Sequence, residues 1–497
     1  MLIAGSARSD AAWSPPVGIP APPFGVTQSV GGLYGSDSYR TKTVSGGGDL
    51  NAKLPSLAPG DVVVIEAGIY SVQGGTWWTH TGTAAQPIIV RGAPGATKPV
   101  IRIVKAQDCL YLNGAYAIYE NLDIDLSLVS GLCVLLTGHH IAFRDSEVRG
   151  ATGARNTALY LAGGYNVVLN SKIHDNGPLD GVGDPDYHGM GASGHHQWIL
   201  DNQIYRNGGD GVQINAGNAA TARSTHHIYI GRNDAFANRQ SGFWVKFCED
   251  IILSQNRTHG HRASTSSSGQ GMGFQYGTER AWFLFNLIYD NEEGILIAAD
   301  GGPGGYGNGQ NAYIVGNVIH DIQRQAILSW ETSAHKHAVH NTIYRAGTGV
   351  DFFNAVHGTT VQNNIFAAIA GVDLNLNSNK GGTFSHNFCD DAPCAVVDAA
   401  CLNCVTGSAG FTRIEGADGV RGTADDDFRL VAGSAAIDRG TLSEVYQMFQ
   451  SLYGISIAVD AAGQPRPAGA TWDIGAYETQ TANLPPPPMP SNVRIIH

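Results

Sequence analysis

The chain has 497 residues, and only 14% of them are charged, well below the roughly 25% that is typical of soluble domains. Its 65 glycines are nearly twice the usual share of about 7%, which favours many turns and stacked strands over long charged helices. The net charge of −12 argues against a nucleic-acid partner, although a local groove on an acidic protein can still bind an acidic polymer. No run approaches the roughly 18 apolar residues of a membrane span.

The first part of the chain predicts an extended lead-in followed by a short cap. The opening Met1-Leu-Ile-Ala-Gly-Ser is too short for a signal peptide. Residues 1–30 are rich in proline, which favours an extended segment. Asp49 is placed to cap a helix that buries Leu50, and Pro55 limits that helix to a turn or two.

A repeat is visible from residue 121 onward. Its mark is an asparagine (once an aspartate), a variable residue and then usually an aliphatic residue. The marks are Asn121, Asp145, Asn170, Asn202, Asn233, Asn256, Asn286, Asn317, Asn341 and Asn363. Asparagine suits a fixed corner because it tolerates the left-handed conformation and its amide can bond along a stack.

The marks recur at intervals of 22 to 32 residues, and a unit of 22 to 25 residues with insertions matches one coil of a parallel β-helix. We therefore predict an all-β fold, a single-stranded right-handed parallel β-helix of about ten to twelve coils. The predicted parts are a lead-in at 1–30, the β-helix with a short N-terminal cap at 31–385, an irregular C-terminal cap segment at 386–480 and a proline-rich tail at 481–497.

Four cysteines lie close together in the C-terminal segment: Cys389, Cys394, Cys401 and Cys404. Two disulfides in an exported protein are the preferred interpretation, with a metal site as the alternative, because the first gap lacks the usual zinc spacing. The pairing is open among three possibilities. We expect a secreted or cell-surface protein.

One short pattern returns four times between residues 170 and 286. The copies are His188-Gly-Met-Gly-Ala-Ser193, Asp210-Gly-Val-Gln-Ile-Asn215, Ser241-Gly-Phe-Trp-Val-Lys246 and Gln270-Gly-Met-Gly-Phe-Gln275. Each has glycine second and apolar residues third and fifth, which is strand alternation with the apolar pairs inward. The outward residues His188, Asp210, Gln213, Asn215, Trp244, Lys246, Gln270 and Gln275 then form one ladder, the candidate site.

Four insertions fall in or beside the same stretch, at residues 177–187, 216–225, 259–269 and 300–310. Loops piled on one side of a solenoid commonly build its binding face. The insertions therefore place the candidate site on that side of the β-helix.

Three motifs in consecutive coils carry a resemblance. They are Asp184-Pro185, Asn207-Gly-Gly-Asp210-Gly211, and the Gly242-Phe243 strand with Arg239 nearby. These residues resemble the catalytic module of the mannuronan C5-epimerases and, more weakly, β-helix polysaccharide lyases. The resemblance implies a uronate-containing polysaccharide as the substrate. Asp186 and Ser241 stand where the epimerase family has histidines, which favours a lyase.

Uronate lyases and epimerases share one chemical step, the removal of the proton beside the sugar carboxylate. A cation must stabilise the charge that builds on that carboxylate, and a base must be within reach. The predicted catalytic residues are Lys246, His188, Tyr187 and Asp210. The predicted substrate-binding residues are Trp244, Gln213, Asn215, Gln275, Arg239 and Arg262, and the amides among them could equally form a plain structural ladder.

Calcium is the cofactor that this chemistry suggests, with Asp184 and Asp186 as its candidate ligands. By the register of the four copies, Lys246 stacks between Asn215 and Gln275 on the face that Trp244 also occupies. A lone amine among amides and an aromatic ring can bind or deprotonate an acidic sugar.

The sequence thus predicts an enzyme that acts on an acidic polysaccharide by C5 proton abstraction, more as a lyase than as a C5-epimerase. A non-catalytic glycan-binding or structural β-helix of the cell surface is the alternative. The identity of the sugar and the oligomeric state are left open.

Overall fold

The computed structural model describes residues 13–26, 40–95, 97–104, 109–132, 134–180, 184–217, 224–298, 311–330, 335–352, 358–376, 382–390, 394, 396–397 and 401–480. The predicted tail at 481–497 and the insertion at 300–310 lie outside the described residues. Each described coil runs through three parallel sheets in the same order, and each strand pairs with the strand one coil further on. The chain is a right-handed parallel β-helix, as predicted.

Sheet 1 contains Arg40–Val44, Asp61–Ile65, Ile88–Gly92, the end of Leu110–Glu120, His139–Arg144, Val167–Leu169, His195–Leu200, His226–Gly231, Glu249–Ser254, Glu279–Leu284, Asn311–Val315, His335–Val339, Thr360–Gln362 and Thr383–Ser385. Sheet 2 contains Gly48–Asp49, Ile69–Val72, Val100–Ile103, Asp123–Asp125, Glu147–Arg149, Lys172–His174, Gln203–Tyr205, Asp234–Phe236, Arg257–His259, Leu287–Asn291, the starts of Val318–Ser329 and Thr342–Phe352, Ile365–Ala367, Phe388–Cys389 and Val405–Thr406. Sheet 3 contains Thr76–Thr81, the start of Leu110–Glu120, Val134–Leu136, Asn156–Leu161, Tyr187–Ala192, Val212–Asn215, Phe243–Lys246, Gln270–Gln275, Glu293–Ala298, the ends of Val318–Ser329 and Thr342–Phe352, Leu374–Asn375 and Val396–Val397.

The coil stack is longer than the predicted ten to twelve coils, because strands already pair from Arg40–Val44 onward, ahead of the first mark at Asn121. The N-terminal end of the core is closed by helix α1 (Leu50–Lys53). Its Leu50 is fully buried, and the Asp49 carboxylate accepts a hydrogen bond from the Asn51 amide at 3.0 Å. The C-terminal segment adds helix α2 (Glu444–Tyr453) and an antiparallel pair, Phe411–Arg413 with Asp427–Leu430.

A ladder of buried asparagines fixes the corner between sheets 1 and 2. Each side-chain amide donates to the carboxamide oxygen of the next member at 2.9 to 3.1 Å. The members are Asn202, Asn233, Asn256, Asn286, Asn317, Asn341, Asn364 and Asn387. Each oxygen also accepts the backbone N–H of the preceding member, so the ladder sets the register of consecutive coils.

The sequence predicted that one asparagine in each coil both adopts the left-handed conformation and stacks its amide. This prediction is wrong, because two adjacent positions divide these roles. Asn121, Asp145, Asn170 and Asn363 lie one residue before the ladder, in the left-handed conformation with φ between 47° and 59°. The next residue at each coil carries the buried ladder, with Ser146 and Ser171 in its first coils. Tolerance of positive φ and amide stacking are therefore supplied by different side chains.

The outer face of sheet 1 is apolar and is covered by both ends of the chain. The lead-in runs along it, where Pro20 accepts a hydrogen bond from the Trp198 indole at 2.9 Å. Helix α2 packs beside the lead-in, with the Phe449 and Trp282 rings edge to face. Gly18, with φ of 78°, lies so close that a Cβ there would be 3.1 Å from Phe449. Sheet 3 carries no such cover among the described residues, which leaves its outer face for the site.

The four C-terminal cysteines form two disulfides, as predicted. The pairs are Cys389–Cys394 and Cys401–Cys404, with Cα–Cα separations of 5.3 and 5.6 Å. This pairing selects one of the three that the sequence left open.

Replacing Asn286 by alanine is expected to destabilise the fold by about 2–3 kcal/mol. The substitution removes the acceptor for the Asn256 amide and the donor to Leu253 O, and both partners are buried away from water. Urea unfolding measures the loss. Asn170→Gly is the control, with an expected change within about 1 kcal/mol because glycine adopts positive φ freely. Equal effects of the two variants would contradict the structural role of the ladder.

A second prediction concerns His261, which occupies a similar buried ladder at the corner between sheets 2 and 3, after Asn238 and before Asn291. Burial lowers the pKa of His261 from its usual 6.5 to about 4. On acidification the unfolded chain therefore takes up this proton at a higher pH than the folded chain does. The contribution of neutral His261 to the unfolding free energy is complete above pH 6.5 and is lost as the pH falls towards 4.

His261→Asn restores an asparagine to the ladder and removes this titration. We expect the unfolding free energy of the variant to fall less steeply with acidification than that of the wild type, as measured by urea titrations across this range. Part of the slope remains, because burial also lowers the pKa of His80 and of His337 to about 4. If the unfolding free energy of the variant and of the wild type depended on pH with the same slope, the proposed titration of buried His261 would be wrong.

Candidate functional site

A groove of about 560 Å³ lies on the open outer face of sheet 3. Its floor is formed by strands Phe243–Lys246, Gln270–Gln275 and Glu293–Ala298, and the predicted insertion at 259–269 forms one wall through residues 263–268. Two acidic residues of the insertion at 177–187, Asp184 and Asp186, line it as well. The groove therefore brings together the strand pattern and two of the inserted loops that the sequence singled out.

The middle of the floor is apolar. Trp244 is 8% exposed and packs against Leu296, Ala298 and Leu328 from the following coils. Its ring lies over Gly273, where a Cβ would approach Trp244 to 2.6 Å. Glycine at this position leaves room for the indole to lie along the sheet, which presents an aromatic surface to the groove.

Lys246 lies on one rim of the groove. Strand pairing places it between Asn215 and Gln275, which confirms the predicted register. Its ammonium nitrogen is 5.9 Å from the centroid of the Tyr276 ring. Among the described groove-lining residues Lys246 is the sole lysine.

The opposite rim is a hydrogen-bonded acidic cluster. The Asp210 carboxylate accepts the hydroxyl and the amide of Ser241, and Asp210 is only 3% exposed. The Asp210 amide donates to His188 Nδ1 at 3.0 Å, so the ring proton belongs on Nε2. Nε2 lies 3.3 Å from the Asp186 carboxylate. His188 thus holds Asp186 and Asp210 in place while its own two nitrogens are engaged.

A chain of side-chain amides runs along strand Val212–Asn215, one coil before the groove floor. The Asn215 amide donates to Gln213 Oε1 at 3.3 Å, and the Gln213 amide donates to Asp210 Oδ2 at 2.9 Å. The predicted alternative was that these amides bond one another in a structural ladder. Asn215 and Gln213 do bond in this way, but within one coil. Neither residue lines the groove among the described residues.

The predicted single ladder is corrected to two separate rims. Ser241 and Lys246 occupy the first and sixth places of one copy, five residues apart on one strand. At about 3.3 Å per residue their backbones are roughly 16 Å apart. His188 and Asp210 share the rim of Ser241, so they do not meet Lys246 at one atom.

Two predicted residues point away from the outer face of sheet 3, which corrects their assignment. Tyr187 is fully buried in the core of the β-helix, and its hydroxyl donates to Gly131 O at 2.7 Å. Arg262 turns to the corner of sheet 2, where it forms an ion pair with Asp290 at 2.6 Å. Neither side chain lines the groove among the described residues. His188, Gln213, Asn215 and Arg239 lie beside the groove and do not line it either.

Arg239 and the predicted calcium ligands form a connected set. Asp184 lies 3.5 Å from the Arg239 guanidinium and accepts the Gln240 amide at 3.1 Å. Arg239 also donates to Thr265 at 2.8 Å, which ties the wall to the rim. Within the described part of the chain, Asp184 and Asp186 belong to no group of three ligand atoms within 4.8 Å of one another. Calcium binding by Asp184 and Asp186 therefore stays a prediction, and no step below passes through a metal.

The sequence interpretation missed Glu293 and Arg324. Glu293 is fully buried, Ser268 donates to it at 2.9 Å, and an Arg324 nitrogen lies 2.9 Å from its other oxygen. Burial raises the pKa of Glu293. The signal was available, because Glu293-Gly-Ile-Leu-Ile-Ala298 is a fifth copy of the strand pattern one coil further on.

A comparison with protein-family models supports the fold. A family model described as right handed beta helix region matches residues 214–366. A comparison with curated proteins found no match. No described helix is long and apolar enough to cross a membrane.

Among solved structures, the chain is similar to the pectate lyase Pel9A, with 15% identity, coverage of 88% of this chain and 97% of that chain, and a TM-score of 0.45. It is also similar to the PL6 family alginate lyase AlyGC, with 12% identity, 81% and 61% coverage and a TM-score of 0.46. A third similar structure is the Azotobacter vinelandii mannuronan C-5 epimerase AlgE4 A-module, with 16% identity, 68% and 91% coverage and a TM-score of 0.38. At these identities the likeness concerns the fold alone.

The placement of Tyr187 generates a prediction. Tyr187→Phe removes one buried hydrogen bond and is expected to lower stability by about 1 kcal/mol, while activity or ligand binding in the groove stays at the wild-type level. Thermal unfolding and the assays described below measure the two effects. A variant that folds normally but loses activity would show that the hydroxyl takes part in the reaction.

Proposed function

We propose that this protein is a carbohydrate-active enzyme that cleaves a uronate-containing polysaccharide by β-elimination. The observation that carries the proposal is the pairing of Lys246 with Trp244 on one strand, both facing an open groove. An aromatic floor suits the apolar face of a sugar ring, and an amine beside it suits the acidic group of that sugar.

A polymer is the substrate class that the groove favours. The groove lies along the stacked strands and is not a closed cavity. The Gln275 amide lines it beside Lys246, and Gln213 and Asn215 continue the same sheet face one coil before Lys246. Amides can bond the hydroxyls of successive sugars. Arg324 lines the groove further along the stack and offers a second cation for a neighbouring carboxylate.

The chemistry centres on Lys246. In its deprotonated form Lys246 takes the proton from C5, the C–H electron pair forms the C4–C5 double bond, and the bond from C4 to the glycosidic oxygen breaks. The ammonium that results returns the proton to this leaving oxygen, which is attached to the neighbouring carbon. A single amine serves both steps, which accords with the distance of the opposite rim from Lys246.

His188 and Asp210 act as positioning residues in this proposal. The Asp210 carboxylate accepts the Gln213 amide, and Gln213 accepts the Asn215 amide, so Asp210 orients the amides that hold the sugar. His188 accepts the backbone N–H of Asp210 and holds Asp210 in place. Arg239 plays the same part for the loop wall at residues 265–266.

Export is part of the proposal. Two disulfides close the C-terminal segment, and structural disulfides persist mainly in oxidising compartments. A secreted or cell-surface location would also give the enzyme access to an acidic extracellular polymer.

Lys246→Ala is expected to abolish the release of unsaturated product from polyuronates while leaving stability within about 1 kcal/mol, because the side chain faces outward. The assay follows the absorbance of the unsaturated sugar on polymannuronate, polyguluronate and polygalacturonate. Lys172→Ala, an exposed lysine of sheet 2, is the matched control and should retain full activity. Full activity of Lys246→Ala would remove the proposed mechanism.

Lys246→Arg separates proton transfer from charge recognition. Arginine keeps the positive charge but stays protonated at neutral pH, so it cannot accept the C5 proton. We expect this variant to bind the polymer and fail to cleave it. Cleavage by Lys246→Arg would mean that Lys246 only holds the carboxylate.

The epimerase alternative is tested on the same substrates in deuterated water. Incorporation of deuterium at C5 without chain cleavage, measured by NMR, would replace the lyase proposal with an epimerase. Binding without either reaction would leave a glycan-binding protein.

A further inference from the structure

The middle column of the groove floor continues far beyond the groove along sheet 3. Strand pairing links Trp244 to Gln213, Gln213 to Gly191, and Gly191 to Tyr160. The same column continues through Leu135 and Tyr111 to Trp77. Trp77 therefore lies six strand steps from Trp244, which at about 4.8 Å per step is roughly 29 Å.

The far end of this column is an exposed aromatic platform, defined here as Trp77 and Tyr111. Their rings are stacked at 4.2 Å between centroids and are parallel to within 5°. Trp77 is 55% exposed, so a flat apolar surface faces solvent. A single exposed ring needs no explanation, but two stacked rings aligned with the groove floor form an ordered surface.

Tyr160 lies between the platform and the groove and shares the geometry of Trp244. Its ring lies over Gly191 of the next coil, where a Cβ would approach the ring to 2.7 Å. Trp244 lies over Gly273 in the same way. The column thus repeats one device, an aromatic ring laid flat along the sheet over a glycine.

A polar column runs beside the aromatic one, two residues further along each strand. Asn113 donates to Thr79 and accepts from Thr137, each at 3.4 Å. In the following coils this column reaches Asn215 and Lys246. Hydroxyls and amides next to flat rings suit a sugar, whose ring has apolar faces and a hydroxylated edge.

The charge of this surface also suits an acidic chain. The strand Thr76–Thr81, the start of Leu110–Glu120 up to residue 115, and Val134–Leu136 contain no aspartate or glutamate. A polyuronate would therefore meet no carboxylate on these strands.

We infer that Trp77 and Tyr111 form a distal sugar-binding platform for the same acidic polysaccharide. One strand spacing is close to the length of one sugar in an extended chain, so the platform holds a residue about six sugars from the one at Trp244. The inference rests on the proposed function. It implies that the enzyme engages long chains internally and binds them more tightly than short ones.

The test measures binding in the Lys246→Arg background, which is expected to bind the polymer without cleaving it. Trp77→Ala is expected to weaken binding of a long polyuronate by about tenfold, while binding of a uronate trimer, too short to reach the platform, stays unchanged. Trp77→Phe keeps a ring and should restore most of the affinity. Leu442→Ala, an equally exposed apolar residue outside sheet 3, is the control, and thermal unfolding verifies that each variant folds.

The outcomes separate the two ideas. If Lys246→Arg binds long chains but Trp77→Ala behaves like Leu442→Ala, the platform is wrong and the proposed substrate class stands. If Trp77→Ala weakens the trimer as much as the long chain, the platform does not act at a distance and the inference fails. If neither the parent protein nor Lys246→Arg binds any polyuronate, both the proposed function and the platform are wrong.

Discussion

The constraint on which the structure depends is that consecutive coils must stack in parallel at one strand spacing. Buried asparagine amides enforce this stacking, since each bonds the amide and the backbone of its neighbour. A coil that slipped by one residue would leave several buried polar groups without partners. Because the stacking is so tightly specified, residues from distant parts of the sequence share straight outward columns. The groove and the aromatic column are both products of that order.

The spacing of the asparagine marks predicted the fold, and alternation along the strands predicted which side chains face outward from sheet 3. The same alternation also shows why the assignment of Tyr187 to the site was wrong. His188 faces outward, so its neighbour Tyr187 must face the core, and the pattern itself contained this answer. Arg262 was different, because it belongs to a loop whose direction no periodicity fixes, and its partner Asp290 comes from the next coil.

The sequence also did not predict how far apart two residues lie on the same face of the sheet. A period of two tells which side a residue occupies but not how far along the strand its partners lie. Asp210 and Lys246 share a face, yet they belong to opposite rims of the groove. The register between Asn215, Lys246 and Gln275 was predictable because it follows from aligning three copies of one pattern. The contact of Glu293 with Ser268 was not, because an inserted loop folds back over the strand.

The covering of sheet 1 by both chain ends has a consequence for how the molecule comes apart. In a simple solenoid each repeat contacts only its neighbours, so the ends can fray one coil at a time. Here the lead-in reaches Trp198 and Ser254, and at Gly18 it meets helix α2. These contacts join residues separated by most of the chain and tie the middle coils to both termini. Loss of the lead-in or of helix α2 would expose apolar surface of sheet 1 and remove contacts of the other segment. We therefore expect the coils to unfold more cooperatively than those of a simple linear repeat.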